Sequence, residues 1–289
     1  MIVSASYRTD IPAFYGHWFR NRLAAGYCLV RNPYGGPSYR VSLRPEDVDG
    51  FVFWTKNLGP FWPALTELGR RGCPFVVQYS VTAYPRELEG AVVAAARSVE
   101  YLRRLAGDYG PRAGVWRYDP IVTTTLTPAD FHRQTFDRLA AALEGAVDEV
   151  IISFAQIYRK TRRNLEAAAR QAGFGWDDPP DAAKRALAAD LAAMAAARGM
   201  RLSLCGQREL LGEGVADARC VDAARLSDVA GRALTAGAQG HRPACGCFAS
   251  RDIGAYDTCP HGCVYCYAVQ TPARARAGWR AHDPAGEFL

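Results

Sequence analysis

Three cysteines near the C-terminal end of the sequence have the spacing of a metal-binding loop. Cys259, Cys263 and Cys266 are separated by three and then two residues. Thiolates this close together can each bind a different iron of one [4Fe–4S] cluster, which leaves the fourth iron without a protein ligand. An open iron is what S-adenosylmethionine (SAM) needs in order to chelate a cluster through its methionine amino and carboxylate groups.

Other residues in and near this loop bear on its chemistry. Tyr265 precedes the third cysteine and would lie beside the adenine of SAM, and Gly262 is a second candidate cofactor contact. The alternative is a structural zinc site, which usually takes its ligands from two paired knuckles. The tight triplet does not divide into pairs, although Cys245-Gly246-Cys247 and His261 keep zinc as an alternative.

Four further cysteines are candidates for a second, auxiliary cluster. Cys205 follows a predicted strand, Cys220 comes later, and Cys245 and Cys247 precede the triplet. Four thiolates are the complete ligand set of a [4Fe–4S] cluster. A chain with nine cysteines in a reducing compartment is better explained by metal chemistry than by disulfides. The alternative is that these four are buried structural thiols.

The composition is that of an ordinary globular protein. Hydrophobic residues make up 49%, charged residues 22%, and the formal net charge is +6. This positive charge is mild and scattered, so by itself it favours an anionic small molecule no more than a weak nucleic-acid contact. Basic residues at the ends of predicted strands lead us to expect a small anionic substrate, with nucleic acid an unlikely partner. No apolar stretch is long enough to cross a bilayer, and the N-terminus lacks a basic-then-apolar signal pattern. We therefore expect a cytoplasmic protein with no membrane partner.

Short β-branched runs alternate with helical stretches and predict an α/β fold of six βα units. The candidate strands are 2–6, 51–54, 75–81, 115–118, 149–154 and 201–204. Asp10 and Gly26 bracket the first helix as its cap and its glycine stop. No glycine fingerprint follows the first strand, so a partial (β/α)6 barrel is favoured over a dinucleotide-binding sheet. We expect a barrel core over 1–240 and a cysteine-rich, cluster-binding segment over 241–289, packed on the barrel mouth.

Polar residues recur where the predicted strands end, and in α/β barrels that edge holds the active site. Arg8 is a candidate clamp for a carboxylate or phosphate. Lys56 would neutralise an anionic substrate or the SAM carboxylate, unless it is a rim lysine. Arg117 and Asp119 should point the same way, as an internal ion pair or as contacts to SAM. These four are the catalytic candidates, and Gln156 is a weaker cofactor-binding candidate alongside Arg117.

Two family resemblances rest on these residues. The triplet with Tyr265 resembles the signature loop of the radical SAM superfamily. More widely, segments 4–12, 53–57, 116–120 and 251–259 are similar to the domain of unknown function 1848 family, a radical-SAM-like group with its cysteine motif at the C-terminal end. The superfamily loop usually follows the first strand, but segment 7–12 has no cysteine. The chain therefore looks circularly permuted around its cofactor site.

The resemblance implies a radical SAM enzyme with a barrel of radical SAM type. Such an enzyme cleaves SAM reductively to a 5′-deoxyadenosyl radical, which abstracts hydrogen from a small, anionic or nucleotide-like substrate. A flavodoxin or ferredoxin would supply the electron. An auxiliary [4Fe–4S] cluster would make sulfur insertion the first subclass to consider. The alternative is a zinc-binding barrel hydrolase, or a nucleic-acid-binding protein with a zinc-stapled tail.

Overall fold

The computed structural model of the chain describes residues 1–33, 35–240 and 245–289. Over these ranges the strands are β1 (Ile2–Ala5), β2 (Tyr27–Val30), β3 (Tyr39–Ser42), β4 (Gly50–Thr55), β5 (Phe75–Ser80), β6 (Gly114–Ile121), β7 (Thr123–Thr124), β8 (Glu149–Phe154), β9 (Trp176–Asp177), β10 (Arg201–Leu204), β11 (Ala216–Asp217) and β12 (Ser250–Asp252). Residues 241–244, at the expected start of the C-terminal segment, lie outside the described residues.

The helices alternate with the longer strands. They are α1 (Ile11–Phe14), α2 (Gly16–Ala25), α3 (Trp62–Arg70), α4 (Ala95–Tyr109), α5 (Ala129–Leu143), α6 (Arg159–Ala172), α7 (Asp181–Ala196), α8 (Ala223–Ala230) and α9 (Pro272–Arg280), with 3-10 turns at Gly59–Phe61, Pro111–Ala113 and Arg208–Leu210. The predicted cap and stop of the first helix are confirmed. The Asp10 carboxylate accepts a hydrogen bond from the Ala13 amide, and Gly26 ends α2 with a left-handed φ of 77°. A break at Tyr15 divides this stretch into α1 and α2.

The main sheet is parallel and has eight strands in the order β11-β10-β8-β6-β5-β4-β1-β12. From β1 to β11 the strands follow chain order, and β12 returns to pair with β1. This is the strand order of a (β/α) barrel opened between β11 and β12, and it lacks the central reversal of a doubly wound sheet. The Val221 carbonyl accepts a hydrogen bond of 3.0 Å from the Phe248 amide, which links the two ends of the sheet.

The six predicted strands are present, but the predicted number was wrong because β11 and β12 also join the sheet. Both were missed for the same physical reason. They are two and three residues long, and their sequences, Ala-Asp and Ser-Arg-Asp, contain no apolar run. The C-terminal segment therefore supplies a sheet strand as well as the cysteine loop.

Alternation along the strands separates two apolar faces. Phe51 and Phe53 on β4 pack with Phe19 of α2 in the cluster that faces the helices. Val52, between them, belongs to the inner cluster on the opposite face of the sheet. Helix α8 covers the N-terminal ends of the strands. Its Leu226 packs on Gly50, the first residue of β4, where an added Cβ atom would lie 2.9 Å from a Leu226 methyl group. The C-terminal ends of the strands are not covered by this helix, and the candidate functional residues lie there.

His132 of α5 is a fully buried ionisable residue. Its Nε2 lies 3.2 Å from the Val122 carbonyl oxygen and its Nδ1 lies 3.0 Å from the Tyr118 hydroxyl. A carbonyl only accepts, so Nε2 carries the hydrogen and Nδ1 accepts from Tyr118. Burial lowers the pKa of His132 to about 4. The folded protein therefore holds this imidazole neutral.

We expect His132 to make the protein less stable in mild acid. An unfolded histidine has a pKa of about 6.5, so the unfolded chain takes up a proton that the folded chain rejects. Lowering the pH from about 7.5 to about 5.5 should remove about 1.3 kcal/mol of unfolding free energy through this residue. Urea titrations of the wild type and of His132→Gln at both pH values measure the difference. Equal pH dependence in the two proteins would show that His132 is not the group that titrates.

None of the helices in the described ranges is long and apolar enough to span a bilayer.

Candidate metal centres

The chain reaches the triplet through a tightly bonded junction between β12 and β1. Asp252, the last residue of β12, accepts hydrogen bonds from the hydroxyls of Ser4 (2.6 Å) and Ser6 (2.8 Å) and from the Gly254 amide (2.9 Å). A Cβ atom at Gly254 would lie 2.0 Å from Ser6 Oγ, so only glycine fits this close approach. The C-terminal segment is thereby fixed beside the end of β1.

Arg8 lies in the same junction. Its Nε donates to Asp252 Oδ1 at 2.8 Å and its Nη2 donates to the Asp252 carbonyl at 3.0 Å. Burial lowers the pKa of Arg8, but the Asp252 carboxylate outweighs burial and leaves that pKa raised. Arg8 is 3% exposed. The side chain predicted to clamp a ligand therefore binds Asp252, a partner that sequence reasoning did not identify.

Asp10 fixes the cysteine loop as well as capping α1. Its Oδ2 accepts from the Lys56 amide at 2.7 Å and lies 2.8 Å from His261 Nε2. His261 is buried, and its Nδ1 has no hydrogen-bond partner within the described ranges. The next residue, Gly262, has a φ of 75°. This left-handed conformation favours glycine, which gives Gly262 a role in the loop turn between His261 and Cys263.

Lys56 and Tyr265 meet at a carboxylate that sequence reasoning missed. Glu89 Oε1 accepts hydrogen bonds from Lys56 Nζ (2.8 Å), from the Thr82 hydroxyl (2.8 Å) and from the Tyr265 hydroxyl. Burial raises the pKa of Glu89, but Lys56 outweighs it, so the pKa is lowered and the carboxylate is charged. Burial lowers the pKa of Lys56, but Glu89 and Cys263 outweigh it and leave that pKa raised. The pair is therefore ionised.

Glu89 lies in an irregular segment that runs along the cysteine loop. Glu89 and Cys263 form an isolated antiparallel bridge. The Val264 amide donates to the Leu88 carbonyl at 3.1 Å, and the Ala91 amide donates to the His261 carbonyl at 2.8 Å. A single acid outside any strand or helix gives no pattern in the sequence. The fact that Glu89 follows β5, at the edge where barrel sites are built, is the one signal that could have found it.

The three triplet cysteines are half-buried. Burial is the largest influence on each thiol and raises its pKa. Asp10 and the other triplet cysteines raise the pKa of Cys259 further. Lys56 opposes the rise at Cys263, and Lys160 and Lys56 oppose it at Cys266. Lys56 is therefore a positive charge that acts on two of the three thiols. The thiols must lose their protons to bind a metal, and a fixed cation favours that loss.

The triplet offers three thiols, the ligand type of both metal centres that the sequence suggests. In the described part of the chain, no group of three or more His, Cys, Asp or Glu side chains surrounds a position for a single metal ion. The triplet sulfurs influence one another electrostatically, yet no hydrogen bond joins them in those ranges. A [4Fe–4S] cluster binds through cysteine thiolates, so the chemistry of this donor set fits it. A zinc ion accepts the same ligands.

Arg117 and Asp119 point to the same side of β6, as an internal ion pair. Arg117 Nε donates to Asp119 Oδ1 at 3.0 Å, and Arg117 Nη1 lies 3.1 Å from Gln78 Oε1 and 3.0 Å from Cys220 Sγ. Burial lowers the pKa of Arg117, but Asp119 and the nearby cysteines outweigh it and leave the pKa well above its usual value. Arg117 thus connects the strand ends with a second group of cysteines.

The four cysteines predicted to form an auxiliary centre come together in the structure. Cys205 and Cys220 have their sulfurs 3.4 Å apart. Cys220 interacts in turn with Cys247, and Cys247 with Cys245. The bond with Cys205 lowers the pKa of Cys220, but the contact with Cys247 and burial raise it, to about 11. The four side chains therefore form one continuous row of sulfurs.

Gln156, the weaker cofactor-binding candidate, lies in a turn after β8. Its Oε1 accepts a hydrogen bond from the Tyr158 hydroxyl, and the Tyr158 amide donates to its carbonyl at 2.9 Å.

A separate cavity of about 150 Å³ borders Glu89 and is lined by Thr82, Arg86 and Ser98, among others. This volume is comparable with that of a cavity that holds a benzene ring.

Comparison with known proteins identifies a family. The family described as Domain of unknown function (DUF1848) matches residues 2–268, which confirms the wider of the two resemblances. No curated protein matches the sequence. The chain is also similar to the crystal structure of a triazine hydrolase variant, with 15% identity, a TM-score of 0.30, and coverage of 66% of this chain and 44% of that chain. The chain thus spans less than half of the length of that hydrolase.

Proposed function

The chain belongs to the DUF1848 family, and we propose that it is a radical SAM enzyme with a fold of radical SAM type. Cys259, Cys263 and Cys266 would bind the [4Fe–4S] cluster that chelates SAM. The observation that carries the proposal is the position of the triplet. It lies on a loop fixed beside the end of β1 through Asp252 and Asp10, next to a buried, ionised Lys56–Glu89 pair.

The residues around the triplet have separable roles in this proposal. When bound, the cluster and SAM supply one-electron cleavage of the SAM sulfonium and a radical that abstracts hydrogen. Lys56 offsets the negative charge of Cys263 and Cys266. Glu89 holds Lys56 and the Tyr265 hydroxyl in fixed positions. Asp10 orients His261 and with it the turn of the loop.

The cavity beside Glu89 supports a small anionic substrate. Arg86 lines this cavity and donates to the carbonyls of Val92 (2.6 Å) and Gly90 (3.5 Å). Within the described ranges no carboxylate pairs with Arg86, so its charge is not neutralised there. Lys56 and Arg117, by contrast, are already paired with Glu89 and Asp119. Arg86 is therefore the better candidate to attract an anion into the cavity.

Replacing Lys56 by Met should slow SAM cleavage by about 10–100-fold, the usual effect of removing a group that supports metal ligands. The variant keeps the length of the side chain but leaves Glu89 as an unpaired buried carboxylate beside the triplet. Initial rates of 5′-deoxyadenosine formation with dithionite or reduced flavodoxin measure the effect.

Lys184→Met is the matched control for this variant. Lys184 is about as buried as Lys56, since their side chains are 11% and 13% exposed. Its partner Asp178 is 51% exposed, so removal of the Lys184 charge leaves no buried carboxylate unpaired. The Lys184→Met variant should cleave SAM at the wild-type rate. If Lys56→Met also kept the wild-type rate and the wild-type iron content, Lys56 would have no role at the cluster.

A further inference from the structure

We propose that Cys205, Cys220, Cys245 and Cys247 bind a second metal centre as four thiolates. The inference goes beyond SAM cleavage and does not rest on it, because none of these residues belongs to the triplet. Three separate segments supply the ligands: the end of β10, the segment between β11 and α8, and the segment before β12. Forty-two positions separate the first ligand from the last (247 − 205).

The sulfurs meet without a local sequence motif. Cys205 Sγ lies 3.4 Å from Cys220 Sγ, and Cys220 interacts with Cys247 and Cys247 with Cys245. The backbone around them is fixed. Gln78 Nε2 donates to the Cys220 carbonyl at 2.9 Å, and the Cys205 amide donates to the Ile152 carbonyl at 2.9 Å. Four cysteines from three segments are therefore held together by the sheet itself.

Two hydrogen-bond donors point at sulfur atoms of this row. Arg117 Nη1 lies 3.0 Å from Cys220 Sγ, and the Val221 amide donates to Cys247 Sγ at 3.4 Å. A neutral thiol is a weak acceptor, so a buried guanidinium gains little from it. A metal-bound thiolate is negatively charged, and donors to its sulfur stabilise it and tune the metal. The surroundings of the row therefore suit thiolates better than the buried structural thiols of the alternative interpretation.

The distance between sulfurs bears on the kind of metal. At a Zn–S distance of about 2.3 Å, the sulfurs of a tetrahedral site lie about 3.8 Å apart. The 3.4 Å contact between Cys205 and Cys220 is close to that value, so it favours a single thiophilic ion such as zinc over a second cubane. No three of these cysteines surround one metal position within the described ranges. We therefore expect the outer members of the row to rotate on binding.

The choice of metal also decides one part of the proposed chemistry. A single ion carries no inorganic sulfide, so it cannot be the sulfur source for an insertion reaction. Sulfur insertion would need the four cysteines to hold a second [4Fe–4S] cluster. The number of irons per chain therefore separates the two versions of this centre.

Metal analysis of the full chain, purified and reconstituted without oxygen, tests the proposal. We expect about four irons for the triplet and about one zinc for the second centre. About eight irons with no zinc would also support a four-thiolate centre, but as a cubane. Four irons and no other metal would overturn the proposal.

Variants assign the metal to its ligands. Cys205→Ser and Cys247→Ser should lose the additional metal and keep the four irons, whereas Cys73→Ser should keep both. Cys245→Ser is the safeguard against misfolding, because Cys245 is half-buried and its replacement disturbs the core least. If Cys245→Ser retained both the additional metal and the four irons, the four-cysteine assignment would be wrong. A loss of SAM cleavage by any of these variants would not by itself contradict this proposal, since the experiment measures metal content.

Discussion

Replacing Cys263 by Ala is expected to abolish the reductive cleavage of SAM and to remove the iron bound by the triplet. Each triplet cysteine would bind a different iron, so a cluster with two remaining cysteine ligands is not held. Cys263 is also the cysteine that bridges to the Glu89 segment and is influenced by Lys56. Cys259→Ala and Cys266→Ala should behave in the same way. Iron content and 5′-deoxyadenosine formation measure both effects.

Cys73→Ala is the matched control for these variants. Cys73 is buried in the cluster that faces the helices, and its thiol lies 3.9 Å from the Arg71 carbonyl. This variant should keep its iron and its SAM cleavage, with only a modest loss of stability. SAM cleavage at the wild-type rate by any of the three triplet variants would contradict the assignment of the cluster.

Replacing Asp252 by Ala is expected to lower the free energy of unfolding by about 3–5 kcal/mol, the usual effect of removing one partner of a buried ion pair. Arg8 would be left as an unpaired buried cation, because both side chains of the pair are 4% exposed. The hydroxyls of Ser4 and Ser6 would lose their acceptor as well. Urea unfolding of the wild type and the variant, without oxygen, measures the loss.

An exposed ion pair provides the control for Asp252. Asp228 pairs with Arg112, and the two side chains are 57% and 41% exposed. Asp228→Ala should change the unfolding free energy by less than about 1 kcal/mol. A similarly small loss for Asp252→Ala would show that the junction between β12 and β1 does not depend on this carboxylate.

The sequence allowed the longer parts of the fold to be predicted. β4 and β5 contain runs of apolar residues that are visible without a structure, and alternation along β6 correctly placed Arg117 and Asp119 on one side. β12 could not be found in this way, because it is three residues long and polar. Its pairing with β1 depends on contacts between residues about 250 positions apart, such as Ser4 with Asp252.

The candidate site was only partly predictable for a related reason. The triplet spacing is a local pattern, so Cys259, Cys263 and Cys266 could be chosen directly. The partner of each charged residue is not local. Arg8 binds Asp252, and Lys56 binds Glu89, which lies in an irregular segment. The row of four cysteines was chosen by counting thiols, but its contact with Arg117 depends on the fold.

The two cysteine groups flank one charged interior. Cys220 contacts Arg117, which pairs with Asp119, and the charge of Asp119 in turn raises the pKa of Lys56 near Cys263. Cys205, Cys220 and Cys247 belong to the inner apolar cluster, whereas Cys263 and Tyr265 belong to a third cluster. The two cysteine groups are therefore connected through charged side chains rather than through shared apolar packing.

The fate of SAM tests the proposed activity most directly. The full chain, reconstituted with iron and sulfide without oxygen until it holds about four irons in the triplet, is incubated with SAM and dithionite. We expect 5′-deoxyadenosine and methionine from the wild type and neither product from Cys263→Ala. A wild-type protein that carries the cluster, binds SAM and forms no 5′-deoxyadenosine would contradict the proposed activity.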